Sequence, residues 1–593
     1  CKIMLEFKKA EEFKLDTVSS RDMSLFGAFS DTDKIKFTLT FDADKEELDK
    51  ITEVSAVIHK DAWNSQKEIY HVAKLERTCD GEFCGICDFA KFLGLWDDSC
   101  GLFYYHYLVK TADGDIALGG EGVRELETIE NGIGERQVLV YDSSYKTSKS
   151  FAKGVVYHIF VDRFKRSGRC VVKNGAELNE DWDNGIPQYG EYPGSEVSNN
   201  VFFGGDLYGI AEKLDYIAAL GTKTIYLSPV FDAYSNHKYD TGDYLTVDEM
   251  FGGDDALIEL CEKAREHDIK VILDGVFNHT GSDSIYFNRF GKYPSIGAYQ
   301  SVDSPYYSWY SFREFPDDYE CWWGVKILPR VNGSNKGFCS FICDKVVKKW
   351  MKLGVSGWRL DVSDELDEGF LEEFRTAVKK NNPDGVLIGE VWEDASDKVS
   401  YGSRRAYLYG GELDSVMNYP LRSAVIDYVK NGTVELMRKN SEGLYRRYPK
   451  CTSDNLMNFL GTHDTERILT ILGGEEMGDK PNAELAKLKM TAEEREIARK
   501  KLKLAYGIIA GMPGSPCVFY GDEAGVEGYR DPFCRMPFPW KKIDEELLSF
   551  YRKIGTIRST NTVFRDGIFE ILHLDERAFC YERKPFDGGE DYK

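Results

Sequence analysis

Residues 357–362 read GWRLDV, an apolar run that carries an arginine and an aspartate two residues apart. Side chains alternate across a strand, so Arg359 and Asp361 point the same way. Alone, the pair reads as a structural ion pair at a strand end. Other polar residues stand at the ends of apolar runs nearby: Asp274, Asn278 and His279 after KVIL, Glu390 after VLIG, His463 and Asp464 after NFLGT. Three carboxylates without a cysteine–histidine metal set suit glycoside hydrolysis. One carboxylate attacks the anomeric carbon, and a second protonates the leaving oxygen and later activates water. The third can distort the bound ring and hold its hydroxyls. Arg359, kept close to Asp361, favours the ionised nucleophile. Asp274 reads as structural, bonded to Arg359 or to neighbouring backbone.

Such residues act together only if the fold brings their strand ends to one mouth. From about residue 151, short apolar runs alternate with longer helical stretches: 155–161, 223–230, 270–277, 356–362, 386–392, 414–419, 455–464 and 516–523. Eight β-then-α units in order predict an α/β fold, a (β/α)₈ TIM barrel over 151–561, whose active site lies at the carboxyl ends of the strands. Adjacent barrel strands, about 4.8 Å apart, can supply the spacing of about 5–5.5 Å that a retaining pair of carboxylates needs. The stretch 279–338 is too long and aromatic for a plain loop, and reads as a small inserted domain on the rim after strand three.

The flanks differ. In 1–125, KIKFTLTF alternates Ile35, Phe37, Leu39 and Phe41, and LFYYHYLV alternates Phe103, Tyr105, Tyr107 and Val109. This predicts an N-terminal β-sandwich, with 126–150 as a loose linker. Residues 562–593 read as the first strands of a C-terminal β domain.

Composition narrows the partners. Against 76 basic residues stand 100 acidic ones, a net charge of −24, which disfavours nucleic acid and anionic membranes but does not repel a neutral sugar. No apolar run is long enough for a transmembrane helix. The start, CKIMLEFKKAEEF, lacks the apolar core of a signal peptide, and the 14 scattered cysteines look like free thiols of a reducing compartment. A cytoplasmic location is the expectation; secretion or cell-surface display after leader removal is the alternative. Cys79, Cys84, Cys87 and Cys100 lie close together, but EFCGICDF also reads as a strand with buried thiols, and no adjacent histidine completes a zinc pattern. No metal site is expected there.

DGVFNH, GWRLDV, GEVW and NFLGTHD resemble the four ordered signature regions of the α-amylase family, glycoside hydrolase family 13. ILPRVN (327–332) resembles the fifth region of its neopullulanase–cyclomaltodextrinase branch, and VYHIFVDRF, FFGGDLYGI, SNHKYDTGDY and GDEAGVEGYRDPFCRMPFPW are similar to segments of that branch and of amylopullulanases. The resemblance covers about 155–560. It implies Asp361 as nucleophile, Glu390 as acid/base and Asp464 as transition-state stabiliser. It implies His279 and His463 as holders of sugar hydroxyls, Tyr239 as the platform under the ring, Trp392 as the leaving-group-side aromatic, and Arg467 as a substrate-side arginine. His237, in the same segment as Tyr239, joins Arg359 in the substrate-binding set. The alternatives are core aromatics for Tyr239 and Trp392, and packing or solvated positions for Arg467 and His237.

The implied activity is retaining hydrolysis of α-1,4-glucosidic bonds, with α-1,6 bonds also in range, in maltooligosaccharides, cyclodextrins, pullulan or starch. An α-glucan transglycosidase and a non-catalytic carbohydrate-binding barrel are the competing readings; the second should have lost catalytic carboxylates, and all three are present. No cofactor is required. Relatives often carry an Asn/Asp-rich calcium loop after DRF, completed by the GGD segment, whereas here DRFKRSGRCVV follows; Asp206 is the candidate ligand if calcium binds. The branch usually shows Ala-Asn-Glu after the nucleophile, where Ser363, Asp364 and Glu365 stand here. The partners implied are an α-glucan and a second copy, in a homodimer through the N-terminal domain.

Overall fold

Eight short runs that are buried on both faces, as parallel strands require, form one closed ring. They are Val155–Ile159, Thr222–Leu227, Lys270–Gly275, Gly357–Leu360, Val386–Gly389, Ser415–Val416, Met457–Phe459 and Ser515–Phe519. In this computed structural model, which describes residues 14–17, 27–41, 45–61, 63, 69–79, 81–95, 100–112, 114–119, 122–124 and 134–585, successive strands pair in parallel. The last pairs with both the first and the seventh, and a parallel bridge between Met417 and Met457 closes the ring. The sixth strand is shorter than the apolar run 414–419. Asn418 turns the chain into the helix Tyr419–Asn431, its side chain accepting from Leu421 N at 3.2 Å, with Pro420 in the first turn.

Alternation sorts the side chains. Val156, Tyr226, Ile272, Ile388, Met417, Met457, Phe459 and Cys517 share one core cluster within the barrel, while Val155, Tyr157, Leu227, Leu273, Trp358, Leu360 and Leu387 pack in the core shared with the outer helices. Helix Gly253–Glu266 buries Ala256, Leu257, Leu260, Cys261 and Ala264, one face at helical spacing. Helix Glu368–Asn381 is capped by Asp367, which accepts from Phe370 N at 3.3 Å. The stretch 279–338 sits on the rim with its own aromatic packing, including Phe287, Tyr310, Phe312 and Tyr319. Bridges His279–Arg330 and Tyr310–Val331 stitch its start and middle to its end.

Before the barrel lies an antiparallel sandwich whose core holds Ile35, Phe37, Leu39, Phe41, Phe103, Tyr105, Tyr107 and Val109, as the alternation predicts. The loose linker expected over 126–150 is different. Arg136–Tyr141 is a sandwich strand, antiparallel to Gly101–Thr111 and parallel to Ala28–Ser30. Its two faces explain it: Val138 and Val140 enter the sandwich core, while Leu139 and Tyr141 join the barrel's core. The following residues are docked as well, for Tyr145 OH donates to Leu413 O at 2.7 Å. At the other end, Ile568–Leu574 and Phe579–Lys584 form a hairpin. The segment CKIMLEFKKAEEF, residues 126–133 of the expected linker and residues 586–593 lie outside the described residues. Among the described residues, no helix is long and apolar enough to cross a membrane.

Candidate active site

Arg359 is fully buried at the carboxyl end of the fourth strand, where one guanidinium serves three acids. Its Nη1 donates to Asp274 Oδ1 at 2.8 Å and to Asp361 Oδ1 at 2.8 Å. Its Nη2 lies 2.9 Å from Glu390 Oε2. The register produces this: Asp274 pairs with Arg359 across strands three and four, and Arg359 with Ile388 across strands four and five. Asp274 is spent on structure, since Tyr226 OH at 2.5 Å and Tyr239 OH at 3.0 Å also donate to it. Asp361 lies one residue past the ladder. Burial pushes its carboxyl up, with Glu390 and Asp274 adding to the push and Arg359 opposing it. Glu390 Oε2 also accepts from Val362 N at 2.8 Å, and Oε1 from Trp392 Nε1 at 3.2 Å.

The opposite wall comes from the loop after strand seven. His463 Nε2 is 3.1 Å from Asp464 Oδ2 and 2.5 Å from Tyr239 OH, and its ring stacks on Tyr239 with centroids 5.1 Å apart. Asp464, 35% of its side chain exposed, also faces Arg535 Nη2 at 3.4 Å. Burial pushes the Asp464 carboxyl up, and Arg535 opposes this. Arg535 is held in turn by His463 O at 2.8 Å and Asp531 at 3.0 Å. His237 accepts from Tyr239 N at 3.2 Å through Nδ1. Burial drives His237 down to about 3 and His279 down to about 4, so both rings stay neutral near neutral pH. Neutral imidazoles suit uncharged hydroxyls, which need one donor and one acceptor.

These groups open into a cleft of about 1240 Å³ lined by Tyr239, His237, His279, Asp361, Glu390, Trp392, His463, Asp464 and Arg535. Trp392 stacks on Tyr419 at 4.0 Å and leaves 49% of its surface exposed beside Glu390. The inserted stretch adds Trp322 and Trp323 to the same cleft. Trp323, 78% exposed, donates from Nε1 to Glu365 Oε1 at 2.7 Å, and Asn278 Nδ2 donates to Glu365 Oε2 at 3.2 Å. The altered residues after Asp361 divide their tasks. Ser363 is buried, its hydroxyl donating to Leu360 O at 3.1 Å. Asp364 lines the cleft, accepting from Tyr407 OH at 2.7 Å beside Lys398 at 3.0 Å.

A family model described as the alpha-amylase catalytic domain matches residues 158–556. The chain belongs to the α-amylase family. An amylopullulanase of Thermoanaerobacterium saccharolyticum is 34% identical over 98% of this chain and 47% of that protein, so the chain spans about half of this relative's length. A cyclomaltodextrinase of Thermoanaerobacter pseudethanolicus is 34% identical over 72% of this chain and 68% of that protein. Among solved structures, the type III pullulan hydrolase from Thermococcus kodakarensis superposes with a TM-score of 0.63 at 25% identity, covering 96% of this chain and 92% of that one.

Within this α-amylase-family barrel, two expected substrate residues do not line the cleft: Arg359, fully buried and bonded to the acids, and Arg467. Arg467 is buried as well. Its Nε donates to Cys534 O at 2.6 Å, and its Nη1 to Tyr520 O at 2.5 Å and Asp522 at 3.1 Å, with the guanidinium over the Phe519 and Tyr520 rings. The arginine that reaches the cleft on this side is Arg535. It lies 68 positions further along the chain, and no spacing rule links it to the HD pair.

Asp206, the candidate calcium ligand, is engaged in hydrogen bonds within the chain. Asp206 caps the helix Leu207–Ala211, and its oxygens accept from Gly209 N at 2.7 Å, Ser167 N at 2.9 Å and Ser167 Oγ at 2.8 Å. Three donors already surround this carboxylate. Arg166 donates to Phe203 O at 2.7 Å and Asn179 O at 3.1 Å, so a side-chain cation ties these two loop carbonyls.

Proposed function

We propose that the chain is a retaining glycoside hydrolase that cleaves α-1,4-glucosidic bonds, and α-1,6 bonds as a secondary activity, in pullulan, cyclodextrins and maltooligosaccharides. The observation that carries it is the guanidinium of Arg359, which holds Asp361 and Glu390 through its two terminal nitrogens, 2.8 and 2.9 Å away. Two carboxyls gathered on one group are close neighbours, which supports a retaining pair, whose carboxyls stand about 5–5.5 Å apart, over the wider gap an inverting enzyme keeps for water.

In the first step an Asp361 oxygen bonds to the anomeric carbon while the glycosidic C–O bond breaks and Glu390 gives its proton to the leaving oxygen. In the second, water loses a proton to Glu390 and attacks the same carbon, releasing Asp361. Asp464 and His463 face the sugar from the other wall, so their bonds to ring hydroxyls can strengthen as the ring flattens toward an oxocarbenium ion. Tyr239, held by Asp274 and His463, supplies an aromatic floor. The breadth of the cleft and its exposed Trp323 and Trp392 support a polymeric or cyclic glucan, and relatives named amylopullulanase and cyclomaltodextrinase agree with this. Trp392, exposed beside Glu390, also offers a face to an acceptor sugar, which favours transglycosylation when acceptors are abundant.

Chromatography of the products from pullulan tests the specificity. Release of a panose-like trisaccharide, with cyclodextrin also opened, is expected; maltotriose as the sole pullulan product means pure α-1,6 cleavage and overturns it. Glu390→Gln tests the acid. Its loss on maltooligosaccharides should far exceed its loss on an activated aryl glucoside, because a good leaving group needs little protonation.

A further inference from the structure

Two histidines and a glutamate meet on the sandwich, away from the cleft. His59 lies on the strand Ile51–Lys60, His106 on Gly101–Thr111, and Glu135 immediately before Arg136–Tyr141. These three strands are neighbours. His59 pairs with Tyr104, and Val57 with His106, while Arg136 pairs with Tyr105, which sets Glu135 opposite His106. All three side chains therefore share one face. It is the face that turns toward the barrel, since its other residues Leu102 and Leu139 belong to the barrel's core cluster.

We propose that His59, His106 and Glu135 form a structural site for a first-row divalent cation, zinc being the best fit. The first support is distance. His106 Nδ1 is 2.9 Å and His59 Nε2 3.5 Å from Glu135 Oε1, and the three ligand atoms all lie within 4.8 Å of one another. A tetrahedral zinc with bonds of about 2.0–2.2 Å holds its ligands roughly 3.3 Å apart, between the two measured edges. The second is burial: the side chains are 5%, 2% and 2% exposed. The third is ligand chemistry. Two imidazoles and one carboxylate are a nitrogen–oxygen set that suits zinc, cobalt or nickel and does not suit calcium or magnesium. Water completes the coordination. The cation would tie three strands of the sandwich on its barrel-facing side, so its free energy of binding adds to the stability of the fold.

The full chain, stripped of metal and reloaded with zinc or cobalt, tests this. The wild type is expected to retain a single equivalent after gel filtration. Zinc should raise its melting temperature, and the cobalt form should show four-coordinate visible bands without thiolate charge transfer. His59→Gln and Glu135→Gln should each lose the retained metal and the zinc-dependent rise in melting temperature, while glucan hydrolysis continues and so reports a folded barrel. A wild type that holds no more zinc than Glu135→Gln overturns the site. If the variants do not fold, X-ray absorption of the cobalt wild type decides alone: sulfur ligands place the metal on the cysteines and overturn the proposal, whereas two imidazoles with oxygen support it.

Discussion

Val362 donates its backbone N–H to Glu390 Oε2 at 2.8 Å from a left-handed conformation, φ +40°. A β-branched residue there is strained, by about 1–3 kcal/mol. The strain lies directly after Asp361, at the point where the chain leaves strand four, and it aims an amide at a carboxyl that Arg359 already holds. Strain of this kind persists where surrounding contacts enforce it. Here those contacts are the Arg359 ion pairs and the turn Ser363–Glu365 that follows.

Val362→Gly removes the clash without removing the N–H. Denaturant unfolding should show a gain of about 1 kcal/mol, since the relief of strain exceeds the added chain entropy. A loss of stability would contradict the strain at Val362.

Asp361→Asn keeps the shape and removes the charge of the proposed nucleophile. Turnover should fall by about 10⁴-fold or more, read by single-turnover kinetics. Stability should move the other way. Burial raises the folded-state pKa of Asp361 above its unfolded value, so wild-type folding is opposed by ionising this group above the folded pKa. That penalty shrinks as pH falls below the folded pKa and is gone only below the unfolded one. The variant should therefore melt higher than the wild type at neutral pH, and the difference should shrink in acid.

Arg535→Gln leaves Asp464 without the cation that opposes its raised pKa. The acid limb of kcat/KM should shift to higher pH than in the wild type, because more of the carboxyl is protonated at any given pH. An unmoved limb, with lower activity at all pH values, would mean that Arg535 only shapes the cleft.

Arg467→Gln breaks a buried ion pair with Asp522 and the bonds to two carbonyls. Thermal unfolding should show a loss of about 3–5 kcal/mol, whereas KM for maltooligosaccharides, measured well below the melting range, should stay near the wild-type value. A large rise in KM with unchanged stability would return Arg467 to the substrate side.

Asp206→Ala should cost about 1–2 kcal/mol as a lost helix cap. Added calcium should leave the melting temperature of both wild type and variant unchanged. A calcium-dependent rise in the wild type that Asp206→Ala abolishes would show that this carboxylate takes a cation after all.

The barrel is legible in the sequence because a parallel strand buried on both faces writes itself as a short, nearly continuous apolar run, and eight such runs recur between helical stretches. The same local rule places Arg359 and Asp361 on one side of a strand and puts Asp274, Glu390 and Asp464 at strand ends, so the acids and the mouth they share can be read from residues a few positions apart. Contacts between distant segments are of another kind. Leu139 and Val140 look like part of a polar linker until two separate cores claim opposite faces of their strand. Arg467 and Arg535 look alike in one dimension; the loop after strand eight sends one into the protein and the other into the cleft. The strained Val362 is tied to Glu390, just past a neighbouring strand, which receives its N–H. His59, His106 and Glu135 have no motif spacing, since strand register alone makes them neighbours. The sequence by itself determined the architecture and the acids, through periodicities that act over a few residues. The tertiary structure decided which cation meets which acid, because that depends on packing between segments tens to hundreds of residues apart.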